Sequence, residues 1–292
     1  MPINTFEDHI EVLNGVKIAW TQGGEGPPLL LLHGFPQTRA LWAEIAPELA
    51  RDHRVICPDL RGYGQSGKPA TVAEYSFRAM AQDQLALMRH LGFERFAVAG
   101  HDRGGRVAHR LALDAPEAVT RVALLDIVAT HTLLAPLRPD VAQAYYHWFF
   151  LAQPEPFPEN IIGEDPDAYF TSCLLGWSAA QLEDFIPAQL EAYRASWRDS
   201  DTIRGMCNDY RAALAHDFED DVADLEARVD CPALVLYGAD GAMGKIYDME
   251  AVWADKCREM NVLDIPGGHF FPDTAPRETT EALRDFFHPT QS

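Results

Sequence analysis

The chain of 292 residues has few cysteines, and they form no recognisable pattern. Their number is odd and no two stand in a Cys-x-x-Cys arrangement; they occupy positions 57, 173, 207, 231 and 257. Disulfide frameworks and structural zinc sites need paired or closely spaced cysteines. We therefore expect neither disulfides nor a metal, and nothing in the sequence calls for a cofactor.

Positive charge is also scarce, since 24 Lys and Arg stand against 44 Asp and Glu, giving a net charge of −20. That balance repels nucleic acid and anionic membrane surfaces. No apolar run reaches membrane-spanning length, and the first residues are acidic where a signal peptide would be basic and then apolar. The sequence predicts a cytoplasmic protein that binds neither nucleic acid nor membrane.

Short apolar runs alternate with helical patterns along most of the chain. The runs are typical of buried parallel strands, and loops at 33–36 and 58–64 follow two of them. This alternation predicts an α/β protein with a doubly wound, mostly parallel sheet. The predicted strands lie at 29–32, 54–57, 96–99, 122–125 and 233–237, and the predicted helices at 40–49, 77–91 and 278–287.

The region 133–227 interrupts this alternation. It carries long helical patterns, many aromatic residues and several prolines, but no strand-like run. We predict a helical lid inserted between a first core part, 1–132, and a second core part, 228–292. Ligands of open α/β sheets bind outside the carboxyl ends of the strands, so such a lid would cover the site.

The most informative motif is Gly100-His-Asp-Arg-Gly104, which joins a predicted strand directly to a helical pattern. Small residues at 100, 104 and 105 allow the sharp turn of a nucleophile elbow, with Asp102 where serine usually stands. A carboxylate there is suited to displacing a leaving group from a saturated carbon, which forms an alkyl ester. Asp102 is therefore the candidate nucleophile; the alternative is a tight turn without a catalytic role.

Hydrolysis of that ester needs a base and an acid that orients the base. His269 follows a glycine pair late in the chain, where an α/β-hydrolase places its histidine. Two aspartates stand at strand ends as candidate partners, Asp126 and Asp240. The chain order of nucleophile, acid and histidine permits either, and position alone slightly favours Asp240.

Backbone amides and two arginines complete the predicted site. The amide of Phe35, after the first internal strand, and that of Arg103, after the nucleophile, predict an oxyanion hole. Arg103 and Arg106 lie three residues apart on one helix face, beside a helix N-terminus that itself favours anions. The pair indicates a carboxylate clamp, unless both are ordinary surface arginines in ion pairs.

Together these motifs resemble the fluoroacetate (haloacetate) dehalogenases of the α/β-hydrolase superfamily, over nearly the whole chain. The Asp-Arg-x-x-Arg run and the His-Trp pair of the predicted lid are specific to this resemblance. The motifs that begin at His33 and at Asp59 are shared with many hydrolases. The motifs are His33-Gly-Phe-Pro36, Asp59-Leu-Arg-Gly-Tyr-Gly-Gln-Ser66, Gly100-His-Asp-Arg-Gly104 with Arg106, Asp126 after its strand, Tyr146-His147-Trp148, and Gly268-His-Phe270.

The resemblance implies an α/β-hydrolase fold and a hydrolysis in two steps. Asp102 would attack the carbon that bears the halogen, and His269 would activate the water that hydrolyses the aspartyl ester. The resemblance assigns Asp126 as the partner of His269, against the slight positional preference for Asp240.

The resemblance also implies the substrate, a small anionic halogenated acid such as fluoroacetate or chloroacetate, with water as co-substrate and glycolate as product. Arg103 and Arg106 would hold the carboxylate, while His147, Trp148 and Tyr210 would receive the halide. The preferred halogen depends on lid packing, which periodicity does not resolve. A homodimer is among the assemblies that the sequence allows.

Two other functions stay open. An epoxide hydrolase uses the same aspartate and histidine with lid tyrosines as proton donors, but an uncharged epoxide would not require Arg103 and Arg106. A noncatalytic receptor of the same fold would not need a triad. The candidate tyrosines are Tyr145, Tyr146, Tyr169, Tyr193 and Tyr210.

Overall fold

The computed structural model describes residues 6–176 and 180–288 and contains, within them, an eight-stranded sheet. In chain order its strands are β1 (Glu7–Leu13), β2 (Val16–Gly23), β3 (Pro28–Leu32), β4 (Arg54–Pro58), β5 (Phe96–His101), β6 (Val119–Leu125), β7 (Ala233–Gly238) and β8 (Met260–Ile265). Their order across the sheet is β1-β2-β4-β3-β5-β6-β7-β8. The pairs β1–β2 and β2–β4 are antiparallel and the other pairs are parallel.

Helices connect and cover the strands, and among the described residues none is long and apolar enough to cross a membrane. Short 3-10 helices span Arg39–Ala43, Val72–Tyr75 and Leu182–Asp184, and a π-helical turn spans Ala213–Asp217. The α-helices are α1 (Ala46–Leu49), α2 (Phe77–His90), α3 (Arg103–Asp114), α4 (Thr130–Leu134), α5 (Pro139–Ala144), α6 (Tyr146–Leu151), α7 (Phe157–Glu164), α8 (Pro166–Gly176), α9 (Pro187–Trp197), α10 (Ser200–Ala212), α11 (Phe218–Ala223), α12 (Ala242–Ile246), α13 (Met249–Ala254), α14 (Phe271–Thr274) and α15 (Pro276–Phe287).

The predicted doubly wound sheet is confirmed, and strand β3 shows how it is built. Leu30 and Leu32 pack on one face with residues of α2 and α3, whereas Leu29 and Leu31 pack on the other face with residues of α1 and α15. Successive side chains of a strand point to opposite faces, so an uninterrupted apolar run is what a strand covered on both sides requires.

Two parts of the core differ from the sequence prediction. The antiparallel strands β1 and β2 were not predicted, because β1 is largely exposed and its charged residues interrupt any apolar run. The predicted helix 40–49 is divided into a 3-10 turn and α1. Pro47 stands at the start of α1, and proline is accepted in the first turn of a helix but breaks its interior.

Helices α4 to α11, here called the helical segment, lie between β6 and β7 in the chain. They span residues 130–223 and overlap most of the predicted lid 133–227, of which residues 177–179 lie outside the described residues. The segment is hydrogen-bonded to loops of the core: the Gly64 amide donates to Ser196 Oγ at 3.0 Å, and the Phe77 amide donates to Asp217 Oδ1 at 2.7 Å. It is thereby held over the carboxyl end of the sheet.

Candidate active site

Asp102 stands between β5 and α3, with a backbone φ of 50° and ψ of −116°. Such a conformation is costly for a residue with a side chain and persists where the surroundings enforce it. Here a Cβ on Gly100 would overlap the carbonyl of Gly104, and one on Gly104 would overlap the carbonyl of His33. The strand and the helix approach too closely for larger residues, and this contact holds the elbow that presents Asp102.

The two oxygens of the Asp102 carboxylate have different surroundings. Oδ1 accepts a hydrogen bond from the Phe35 amide at 2.9 Å, and Oδ2 lies 3.7 Å from His269 Nε2. Burial raises the pKa of Asp102, but the positive charges of His269 and Arg103 and the hydrogen bond from the Phe35 amide lower it more, so the net pKa lies below its ordinary value. With 6% of its surface exposed, Asp102 is a buried carboxylate that stays ionised.

His269 is paired with Asp126. Its Nδ1 donates to Asp126 Oδ2 at 2.6 Å, and Asp126 Oδ1 accepts from the Gly238 amide at 2.9 Å. Burial lowers the pKa of His269, but the hydrogen bond and charge of Asp126, with the charge of Asp102, outweigh burial and raise the net pKa. The arrangement fixes the tautomer that leaves Nε2, the atom near Asp102, to act as a base.

Asp240, the other candidate acid, differs from Asp126 in its surroundings. Its side chain is exposed, its amide donates to the Gly267 carbonyl at 2.8 Å, and its own carbonyl accepts from Lys245 Nζ at 2.6 Å. The structure therefore brings Asp126, and not Asp240, to the histidine. Sequence position could not separate the two, because both aspartates follow strands that end at the same edge of the sheet.

Arg103 is wholly buried and is paired with an acid that the sequence analysis missed, Asp209 on α10. Arg103 Nε donates to Asp209 Oδ2 at 2.9 Å, and Nη2 makes a shorter bond to Oδ1. The Tyr63 hydroxyl donates to the same carboxylate at 2.6 Å. The signal that could have revealed Asp209 is an acid on a buried helix face, which requires a charged partner.

Arg106 is held differently, by a backbone carbonyl. Its Nη1 donates to Val128 O at 2.5 Å and to Thr130 Oγ1 at 3.3 Å. Burial and the nearby charge of Arg103 lower the pKa of Arg106. Among the described residues, Arg103 Nη1 and Arg106 Nε have no hydrogen-bond partner, so each guanidinium keeps a donor that the protein does not use.

The indole ring of Trp148 lies against both guanidinium groups. The Cζ atoms of Arg103 and Arg106 are 4.9 Å and 4.8 Å from the ring centroid, within cation–π range. The two arginines predicted as a clamp therefore converge on the helical segment, rather than pointing to solvent as surface arginines would.

The other predicted halide ligands pack around Phe35. The His147 ring stacks on Phe35 with centroids 5.9 Å apart, and Tyr210 meets both rings edge-on at 5.2 Å and 5.4 Å. Burial lowers the pKa of His147 well below its ordinary value, so the ring is neutral. The buried Tyr210 hydroxyl has no hydrogen-bond partner in the described part of the chain, and the structure therefore leaves a donor free beside Asp102.

The geometry of an elbow aspartate, a paired histidine and an inserted helical segment defines an α/β hydrolase, and a family model for the α/β-hydrolase fold matches residues 27–276. The chain is 50% identical over 290 residues to a fluoroacetate dehalogenase of Burkholderia sp., covering 98% of this chain and 95% of that protein. It belongs to the haloacetate dehalogenase family of the α/β-hydrolase superfamily, as the sequence motifs predict.

Other relatives show how far the fold extends. A soluble epoxide hydrolase of Corynebacterium sp. strain C12 is 30% identical over 96% of this chain and 97% of its own length. The crystal structure of ALR0039 from Nostoc sp. PCC 7120 superposes with a TM-score of 0.96 at 44% identity, covering 99% of this chain and 100% of that one. Relatives with this fold thus include an epoxide hydrolase as well as a fluoroacetate dehalogenase.

Proposed function

We propose that this protein is a hydrolase of carbon–halogen bonds that converts a haloacetate, fluoroacetate or chloroacetate, to glycolate and halide through an aspartyl ester. The observation that carries the proposal is the Asp102 carboxylate, with Oδ1 bonded to the Phe35 amide and Oδ2 facing His269. The 50% identity to a fluoroacetate dehalogenase supports it.

In the first step, Asp102 Oδ2 attacks the carbon that bears the halogen. The new oxygen–carbon bond forms as the carbon–halogen bond breaks, and the halide leaves with the bonding electron pair. Oδ1 stays on the Phe35 amide, so the carboxylate is held in one orientation while it reacts. His147, Trp148 and Tyr210 stand on the helical segment to receive the departing halide.

In the second step, His269 Nε2 removes a proton from water, and the hydroxide attacks Cγ of Asp102. The charge that develops on Oδ1 is stabilised by the amides of Phe35 and Arg103. The tetrahedral intermediate collapses by breaking the bond between Cγ and the ester oxygen, which takes the proton from His269 and leaves as the hydroxyl group of glycolate. The restored Asp102 carboxyl group then ionises. Asp126 stabilises the positive charge that His269 acquires.

Substrate selection rests on the two arginines. Arg103 Nη1 and Arg106 Nε are buried donors that have no partner within residues 6–176 and 180–288, and a substrate carboxylate would satisfy both. Asp209 neutralises part of the charge of Arg103, so the clamp suits a single carboxylate and not a more highly charged anion. The helical segment acts as the lid that excludes bulk water from this buried pair.

An epoxide hydrolase is the second candidate, and the buried tyrosines Tyr145 and Tyr210 favour it. Burial raises the pKa values of both hydroxyl groups well above the ordinary value, and both experience the charge of Asp102. Protonated tyrosines near the nucleophile could donate to an opening epoxide oxygen. Arg103 Nη1 and Arg106 Nε, which have no partner in the described residues, favour the haloacetate. An uncharged epoxide would leave both donors unpaired.

One assay separates these functions. The protein is incubated with fluoroacetate, chloroacetate or an uncharged epoxide, and halide, glycolate and diol are measured, with Asp102→Ala as the control. We expect halide and glycolate in equal amounts from the wild type and none from the variant. Diol formation without halide release would establish the epoxide hydrolase, and tight binding without turnover would establish a receptor.

Oxygen labelling tests the covalent step. Because water attacks Cγ of Asp102, many turnovers in labelled water should place the label in that carboxylate. Mass measurement of the peptide that contains Asp102 gives the answer, and an unlabelled peptide after many turnovers would reject the ester in favour of direct attack by water.

A further inference from the structure

A chain of buried hydrogen bonds joins the helical segment to the catalytic histidine. The Tyr193 hydroxyl on α9 donates to Asp273 Oδ1 at 2.9 Å, and Asp273 Oδ2 lies 2.5 Å from the Gln37 amide group. The other end of that amide is 3.2 Å from His101 Nδ1, and His101 Nε2 is 2.8 Å from the carbonyl oxygen of His269. All of these side chains are buried, so the chain has to balance its donors and acceptors internally.

The positions of the protons in this chain of hydrogen bonds follow from a count of its donors and acceptors. If the Gln37 oxygen faces His101 and its NH₂ faces Asp273, both nitrogens of His101 face acceptors and His101 must be a charged imidazolium. Burial, with the nearby charge of His269, lowers the pKa of His101 to about 4. A charged His101 is therefore the costly solution at neutral pH.

The opposite amide orientation removes that cost. The nitrogen and oxygen of a glutamine amide have the same shape, so the network decides which way the group points. With the NH₂ donating to Nδ1, a neutral His101 can donate from Nε2 to the His269 carbonyl. The Gln37 oxygen then faces Asp273 Oδ2, and two acceptors in hydrogen-bond contact need a proton between them.

We propose that Asp273 carries this proton and that, as a neutral acid, it is a positioning residue for His269, acting through Gln37 and His101. The proton count is the same in both orientations, since one proton moves from His101 to Asp273. Burial supports this, because it raises the pKa of Asp273 to about 7. The proposal rests on the proposed role of His269 as the base.

Loss of the Asp273 proton has a defined consequence. An ionised Asp273 favours the amide orientation in which the Gln37 NH₂ donates to its carboxylate. The amide oxygen then faces His101 Nδ1, which must donate to it, and Nε2 of the neutral ring carries no proton. The bond to the His269 carbonyl is then lost. The groups that face Asp273 are Tyr193 and Gln37, while His101 also experiences the charges of His269, Asp102 and Asp126.

Thermal unfolding tests the proton independently of turnover. Asp273→Asn replaces the neutral acid with an amide that can donate to Gln37 and accept from Tyr193. An aspartate whose folded pKa is raised gives stability that is lost as pH rises from its unfolded to its folded pKa. We therefore expect the melting temperature of the wild type to fall relative to Asp273→Asn between about pH 4 and about pH 7, and the difference to be constant above.

The exposed Asp264→Asn, which removes a carboxylate outside this chain of hydrogen bonds, is the matched control against which the Asp273→Asn difference is compared. A difference for Asp273→Asn that is independent of pH would overturn the proposal. This readout needs no substrate, so a failure of the haloacetate assay and a failure of the Asp273 assignment are distinguishable.

Infrared spectra and kinetics test the position of the proton and its role. The difference between wild type and Asp273→Asn at about pH 5 should contain the carbonyl band of a protonated carboxyl group, and this band should vanish above about pH 8. Its absence at the lower pH would overturn the proposal. In haloacetate turnover, kcat of the wild type should fall relative to Asp273→Asn as pH rises through about 7.

Tyr193→Phe gives a signed test of the same chain. The Tyr193 hydroxyl lowers the pKa of Asp273 by bonding its carboxylate, so its removal should move the fall in relative kcat to higher pH. A move to lower pH, or parallel pH profiles for wild type and Asp273→Asn, would show that Asp273 does not act on His269.

Discussion

The site has two halves that are held in different ways. Asp102, Asp126 and His269 follow strands of the sheet, and hydrogen bonds from the backbone or from each other fix their polar atoms. Trp148 and Tyr210 lie on helices of the inserted segment and are positioned by ring contacts. Hydrogen bonds fix direction closely, whereas ring packing tolerates small shifts. We therefore propose that the first half carries out the reaction and that the second selects the leaving group.

Phe35 connects the two halves. Its amide bonds the Asp102 carboxylate, and its ring is stacked on His147. A shift of the helical segment that moved His147 would thus change the position of the loop whose Phe35 amide bonds Asp102. Arg103 makes a second connection, because it follows the nucleophile in sequence while its guanidinium is bonded to Asp209 on α10.

Removal of the base, His269, should give the largest loss of turnover. This result would show that the half formed by Asp102, Asp126 and His269 carries out the reaction. In His269→Gln the first step needs no base, so one equivalent of halide should be released and turnover should fall by at least about four powers of ten. Mass measurement of the intact protein should show a carboxymethyl ester on Asp102. Continued turnover, with no trapped ester, would contradict the division of roles.

The choice of acid sharpens the comparison within that half. Asp126→Asn should lower kcat by about three to four powers of ten, because an amide cannot stabilise the charged histidine or hold its tautomer. Asp240→Asn, an exposed aspartate at the neighbouring strand end, is the matched control and should stay within about twofold of the wild type. A reversed order of loss in kcat would make Asp240 the acid.

The half of the site on the helical segment is tested by the ratio of the kcat/KM values for two substrates. Trp148→Phe keeps an aromatic ring and removes the indole N–H, and loss of a donor to developing charge costs about two to three powers of ten in rate. Fluoride concentrates charge on a small atom, so fluoroacetate should lose more kcat/KM than chloroacetate. An unchanged ratio of the two kcat/KM values would exclude Trp148 from the halide site.

The smallest effect concerns the pH dependence of stability. The net pKa of His269 is raised in the folded protein, so the stability it contributes is present below its unfolded pKa and is lost as pH rises through its folded pKa. Each unit of difference in pKa corresponds to about 1.4 kcal/mol. Denaturant unfolding of wild type and His269→Gln should therefore converge as pH rises from about 6. Parallel profiles would contradict a raised pKa.

The sequence by itself determined those features that are carried by short segments. Apolar runs identify β3 to β7 because a strand covered on both faces must be apolar throughout. The glycines around Asp102 identify the elbow because only small residues permit such a close approach. The Asp-Arg-x-x-Arg run and the His-Trp pair identify the family because each motif lies within a few consecutive residues.

Only the tertiary structure decided which distant groups meet. Asp126 and His269 are 143 positions apart, Arg103 and Asp209 are 106 apart, and Gln37 and Asp273 are 236 apart. No local pattern distinguishes Asp126 from Asp240, since both are aspartates after strands. The distinction arises where the sheet edge and the helical segment come together and exclude water, because there each buried charge must find its partner.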